Sequence, residues 1–163
     1  GDVYKRQEAD TLGALERWAG NPSRFRCLVR HLLPEPLVPA GLWLQQRGLV
    51  NAMIDVSDGL AADLLHIARE SGLAAQLNVH ALSLPEDIVD STRGIDVILD
   101  GGEDYALLLT ASEQQVNQLD NSYPEGLPPW RVVGRMAAGE PAIYLIQEDG
   151  LHRHEPRGFD HFR

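Results

Sequence analysis

Apolar positions along this chain fall first at helical spacing and later in short, strand-length runs. Leu12, Leu15 and Trp18 are helically spaced within Glu8 to Trp18, and Gly20-Asn-Pro22 ends that segment. Pro22 opens a second amphipathic helix, with Phe25, Leu28, Val29, Leu32 and Leu33 on one face and arginines on the other. Pro34-Glu-Pro36 breaks it, and Leu42 to Gln46 predicts a third short helix ending at Gly48. Ala52 to Val56 is a short apolar run interrupted by Asp55, which predicts a buried strand with an acid near its C-terminal end. Leu60, Leu64, Leu65, Ile67 and Ala68 then recur at helical spacing, with Gly72 as the stop.

Beyond that helix, Ala74 to Val79 alternates as a strand does, and Pro85 opens a possible short helix over Leu84 to Val89. Ile95 to Leu99 fits either a strand or a helix end. Ala106 to Thr110 predicts a strand, and Ser112 to Leu119 a helix with Ser112 as its N-cap. Pro124 to Pro129 reads as a loop. Trp130 to Met136 and Ala142 to Gln147 predict strands joined by a hairpin-like Ala-Ala-Gly-Glu-Pro connection, and Glu148-Asp-Gly150 turns the chain. Strands and helices without strict alternation predict an α+β fold: a mixed, largely antiparallel sheet packed with helices. Residues 1–7 have neither periodicity nor an apolar face and are expected to be a non-native or disordered leader. The expected unit is a single domain over 8–163.

Composition narrows the partners. An apolar content of 44% in 163 residues supports a real core. A net charge of −10 argues against a nucleic-acid or anionic-membrane surface, since each needs a basic face. Cys27 stands alone within the second helix, which excludes a disulfide framework and a thiolate zinc site and fits a reducing cytoplasm. It reads as a small core residue. No apolar run approaches the ~20 residues that span a bilayer.

The chemistry concentrates at Asp55-Val-Ser-Asp-Gly59, an acid-rich turn entering a helix. A helix start offers backbone N–H groups and a positive dipole end, which suit phosphate oxygens. Nearby carboxylates oppose a phosphate, because two like charges at about 4 Å repel by roughly 4 kcal/mol at an effective dielectric near 20. Mg²⁺ resolves the conflict by taking carboxylate oxygens and bridging to phosphate. The plainer alternative is that Ser57 or Asp58 caps the helix and Asp55 is an ordinary strand-end acid. A second constellation, Gly101-Gly-Glu-Asp-Tyr105, combines backbone freedom with acids at a strand mouth; it suits a ligand or an ordinary solvated turn. The third, Gly158-Phe-Asp-His-Phe162, flanks Asp-His with aromatics, so the terminus is expected to dock on the body. Phe159 would stack on a flat ring or plug the core. His161 suits a hydrogen-bonded structural role, and His152 and His154 are expected to be solvated.

Asp-Val-Ser-Asp-Gly-Leu, Gly-Gly-Glu-Asp-Tyr and a closing Gly-Phe-Asp-His-Phe, in that order, resemble the C-terminal domain of the thiamine-monophosphate kinases. These belong to the aminoimidazole ribonucleotide (AIR) synthetase-like ATP enzymes. The resemblance runs from Glu8 to Arg163 and implies an AIR synthetase C-terminal domain-like fold. It also implies phosphoryl transfer from ATP to thiamine monophosphate, giving thiamine diphosphate with Mg²⁺. Carried over, Asp55 and Asp58 resemble metal ligands, Ser57 an ATP-phosphate contact, and Glu103 and Phe159 substrate contacts. Ala106 stands where the family commonly has another acid, a change expected to be tolerated on a strand. The family's N-terminal half, with most of its metal-binding acids and its dimer interface, is expected to be missing, leaving the fragment inactive alone. Two alternatives remain. One is another enzyme of the superfamily, for hydrogenase maturation or selenophosphate synthesis; the other is a non-catalytic ligand-binding or partner-docking domain.

Overall fold

The computed structural model describes residues 32–82 and 94–157, together with Gly20, Phe25 and Val29. The helices expected over 8–18 and 84–89, most of the second helix with Cys27, and the tail with Phe159 and His161 lie outside the described residues. The elements run α1 (Val38–Gln46), β1 (Ala52–Asp55), α2 (Leu60–Ser71), β2 (Ala74–Asn78) and a 3-10 turn at Val79–Ala81. Then come α3 (Gly94–Asp100), β3 (Leu107–Thr110), α4 (Glu113–Ser122), β4 (Gly134–Ala137), β5 (Ile143–Gln147) and β6 (Gly150–His154). The class is α+β, as expected. No helix among the described residues is long and apolar enough to cross a membrane.

Two sheets share the strands. β1 and β3 form an antiparallel pair in the register Ala52↔Thr110 to Asp55↔Leu107. The other sheet has the order β4-β2-β5-β6, with β2–β4 and β5–β6 antiparallel and β2–β5 parallel. The expected hairpin between the last two predicted strands does not form: β2 lies between β4 and β5. The two central strands carry the buried side chains of this sheet: Ala74, Ala75 and Leu77 of β2, and Ile143 and Leu145 of β5. β1, expected to be buried, is covered only in part. Ala52 and Ile54 pack against the main core, while Met53 and Asp55 are exposed on the other face. The ambiguous Ile95 to Leu99 run is helical.

α2 joins the two sheets. Ala61, Leu64, Ile67 and Ala68 form one buried stripe that packs with Val56 and Leu108 at one sheet and Ala75, Leu77, Ile143 and Leu145 at the other. Gly72 ends the helix in the left-handed conformation, φ 64°, and the Leu73 N–H bonds back to the Ala68 carbonyl at 3.1 Å. α1 begins earlier than its apolar pattern suggests, because Pro39 is tolerated in a first helical turn, where its missing N–H has no partner to lose. A satellite core of Leu44, Leu49 and Leu119, with Trp43, Leu109, Tyr123 and Trp130 against it, ties α1 and α4 to the β1–β3 pair. At α4 the expected N-cap is a full capping box: Ser112 Oγ accepts from the Gln115 N–H at 3.3 Å, and Gln115 Oε1 accepts from the Ser112 N–H at 2.7 Å.

Candidate functional site

The β1–β3 ladder continues into the loops that leave its open end. The Val56 N–H donates to Ala106, the Tyr105 N–H to Val56 and the Glu103 N–H to Ser57, each at 2.8 Å. The acid turn and the double-glycine bend are thus bonded backbone to backbone, although more than 40 residues separate them. Gly102 permits the contact: a Cβ there would lie 2.6 Å from the Ser57 carbonyl oxygen, too close for any side chain. Glu103 (φ 68°) and Tyr105 (φ 49°) take left-handed backbone conformations, which are costly outside glycine. Strain of this kind, concentrated in one bend, is a recurrent feature of ligand sites.

The acid turn itself is held by Asp63, which the sequence reading did not single out. Its side chain is 3% exposed, in the first turn of α2. Asp63 Oδ2 accepts from the Ser57 N–H at 2.9 Å and from the Asp58 N–H at 3.1 Å. The signal was present, because Asp63 falls three residues after Leu60 and four before Ile67, on the apolar stripe. An acid there must be buried and must find donors. This arrangement changes one expectation. The N–H groups of Ser57 and Asp58, which lie ahead of the helix start, are taken by a carboxylate from within the chain. Neither Ser57 nor Asp58 caps α2: the N-cap is Gly59, with no side-chain cap bond.

Gly59 is buried at φ 112°, and a Cβ on it would approach the Leu99 carbonyl oxygen at 3.0 Å and Asp100 Cα at 3.1 Å. The C-terminal end of α3 therefore lies against the acid turn. Asp55 is exposed at the end of β1, Ser57 and Asp58 are partly buried in the turn, and Glu103 is exposed on the facing bend. Among the described residues no group of three or more His, Cys, Asp or Glu is placed to hold a metal ion. Asp55 and Asp58 are two carboxylates on one turn, the number with which Mg²⁺ is commonly held when phosphates and waters complete its shell.

The third motif lies outside the described residues, but the chain reaches it from beside this site. The Arg157 N–H, one residue before Gly158, donates to Asp100 Oδ1 at 3.1 Å. His154 Nε2 lies 3.2 Å from the same oxygen. His154 is therefore not solvated as expected; it is drawn in because the Glu148-Asp-Gly150 turn sends the chain back as β6 along β5, toward α3. His152 is exposed and pairs with Asp149 at 2.8 Å.

Comparison with known proteins gives the following. The family described as AIR synthase related protein, C-terminal domain, matches residues 11–146. The thiamine-monophosphate kinase of Salmonella typhimurium (strain LT2) is 34% identical over 82% of this chain and 41% of its own length. That of Mycobacterium tuberculosis (strain H37Rv) is 38% identical over 72% of this chain and 33% of its own length. Among solved structures, AaThiL complexed with AMPPCP and TMP superposes with a TM-score of 0.66 at 28% identity, covering 87% of this chain and 43% of that one. Thiamine-monophosphate kinase from Stenotrophomonas maltophilia K279a gives 0.65 at 35% identity, covering 76% of this chain and 38% of that one. The chain spans about two fifths of the length of the first curated relatives it matches.

Proposed function

Because the chain belongs to the AIR synthase related protein C-terminal domain family, we propose that it is the C-terminal domain of a thiamine-monophosphate kinase. The reaction is transfer of the ATP γ-phosphoryl group to thiamine monophosphate. The observation that carries this reading is the 2.8 Å hydrogen bond from the Glu103 N–H to the Ser57 carbonyl, which joins an acid turn to a strained bend in one site. Its support from relatives is that the matched proteins are thiamine-monophosphate kinases and that one of them was solved with AMPPCP and TMP.

In this reading Asp55 and Asp58 hold Mg²⁺, Ser57 contacts an ATP phosphate, and Glu103 and Phe159 contact thiamine monophosphate. When bound, Mg²⁺ supplies neutralisation of the crowded phosphate oxygens. The chain's own residues do the rest by position. Asp63 holds the Ser57 and Asp58 N–H groups and so fixes the turn on which Asp55 and Asp58 would hold the metal. Phosphoryl transfer of this kind requires no covalent nucleophile from the protein. The plainer reading, in which Ser57 or Asp58 serves α2 as a cap, is disfavoured by the N-cap at Gly59. Residues 8–163 act as one domain of a longer cytoplasmic protein, a homodimer in which a preceding half supplies further metal-binding acids.

The test joins this chain to the N-terminal half of a thiamine-monophosphate kinase and measures thiamine diphosphate formed from ATP and thiamine monophosphate with Mg²⁺. The fusion is expected to turn over and the 163-residue chain alone is not. Asp58→Asn in the fusion should lose activity by about 100-fold or more, the scale of removing one electrostatic stabiliser. Full activity in that variant would remove Asp58 from the metal site. An inactive wild-type fusion would count against the kinase reading itself.

A further inference from the structure

Asp100 closes α3 and immediately precedes the double-glycine bend. Three segments meet on it. Its backbone abuts Gly59 at the entry to α2, with Cα 3.1 Å from where a Cβ on that glycine would stand. Its Oδ1 accepts from the Arg157 N–H at 3.1 Å, where the chain enters the Gly-Phe-Asp-His-Phe motif, and faces His154 Nε2 on β6 at 3.2 Å. The His154 and Asp100 side chains are 13% and 12% exposed. Oδ2 of Asp100 is buried and has no hydrogen-bond partner among the described residues. Burying a carboxylate is expensive, and a short apolar residue would fill this place at less cost if packing were its whole purpose.

We infer that Asp100 and His154 are positioning residues: together they fix the chain at Arg157, the start of the aromatic tail, against the bends that carry Asp58 and Glu103. His154 orients the carboxylate, and the carboxylate holds the Arg157 backbone. The inference rests on the proposed function for the substrate it serves, thiamine monophosphate, but not for the existence of the couple.

Two measurements decide it. In hydrogen exchange on the 163-residue chain, Asp100→Ala should speed exchange at the Arg157 amide about tenfold, since a bond to a charged acceptor is lost. The Asn51 amide, bonded to Thr110 at 2.7 Å in the β1–β3 ladder, should keep its protection. His154→Leu should act in the same direction. His154→Gln, which retains a side-chain N–H toward Asp100, should stay within about twofold of the parent. The histidine pair keeps the test open if Asp100→Ala does not fold. Unchanged Arg157 exchange in His154→Leu overturns the couple.

In the active fusion, His154→Leu should raise KM for thiamine monophosphate about tenfold, with KM for ATP and kcat within about twofold, and His154→Gln should restore it. Equal losses toward both substrates would indicate general loosening and overturn the positioning role. A wild-type fusion without activity would sink the kinase reading, and the exchange result would still decide the couple.

Discussion

The two sheets of this domain divide its labour unequally. The four-stranded sheet is the stable frame: Leu77 and Ile143, on adjacent parallel strands, are among its largest fully buried side chains. The β1–β3 pair has only four residues per strand, and a two-stranded pair is marginal by itself in water. Yet the acid turn, the double-glycine bend and, among the described residues, both non-glycine residues with left-handed backbone belong to the weaker pair. It is sustained from outside, by α2 on one face and by the satellite core of Leu44, Leu49 and Leu119 on the other. Strain and exposed acids are tolerated at these loops because their cost is met by burial elsewhere.

The largest effect is expected where the frame is cut. Leu77→Ala removes a side chain that is 2% exposed at the centre of the four-stranded sheet, and should destabilise the chain by about 2–5 kcal/mol. Chemical denaturation measures it. Amides of the whole frame should exchange faster, including that of Ala75, which donates to Ala142 at 2.9 Å. If the loss were smaller than that from a change in the β1–β3 loops, the division between frame and site would be wrong.

A smaller and more local effect is expected at the site. Asp63→Ala leaves the Ser57 and Asp58 N–H groups without their shared acceptor, at a cost of about 1–3 kcal/mol. Exchange should quicken at those two amides, while Ala75 keeps its protection relative to Leu77→Ala. The active fusion should lose turnover as well, because Asp58 would no longer be held. Uniform loosening of both sheets would show that Asp63 supports the frame and not the turn.

How far the sequence foretold this follows the range of the interactions. Local signals were legible: Ser112 marked the start of α4, the Leu60–Ala68 stripe marked α2, and Gly72 marked its stop. The acid turn and the double-glycine bend were visible as separate motifs. That they are neighbours follows from pairing between β1 and β3, which no local spacing encodes. The insertion of β2 between β4 and β5 is non-local in the same way, so the short Ala-Ala-Gly-Glu-Pro connection passed for a hairpin turn. His154 looked solvated because its neighbours are polar, and its partner Asp100 lies 54 positions away. Asp63 was the one miss that helical spacing already exposed.

The smallest expected effect tests the satellite core that supports the weaker pair. Tyr123 packs edge-on to Trp43 and Trp130, and its hydroxyl donates to the Pro128 carbonyl at 2.9 Å. Burial raises its pKa above the ordinary tyrosine value of 10.0, because the phenolate would lose solvation there. In the unfolded chain the group titrates near that ordinary value, so above it the unfolded state binds fewer protons than the folded one. Stability from this group is thus complete below about pH 10 and declines as pH rises through the folded pKa. Tyr123→Phe should lower stability at neutral pH by about 1 kcal/mol through the lost hydrogen bond. It should also flatten the alkaline decline, as read from Tm between pH 8 and pH 11 at about half-unit steps. An identical alkaline slope in parent and variant would mean that Tyr123 is not desolvated, and that the satellite core covers the β1–β3 pair less tightly than its aromatic packing implies.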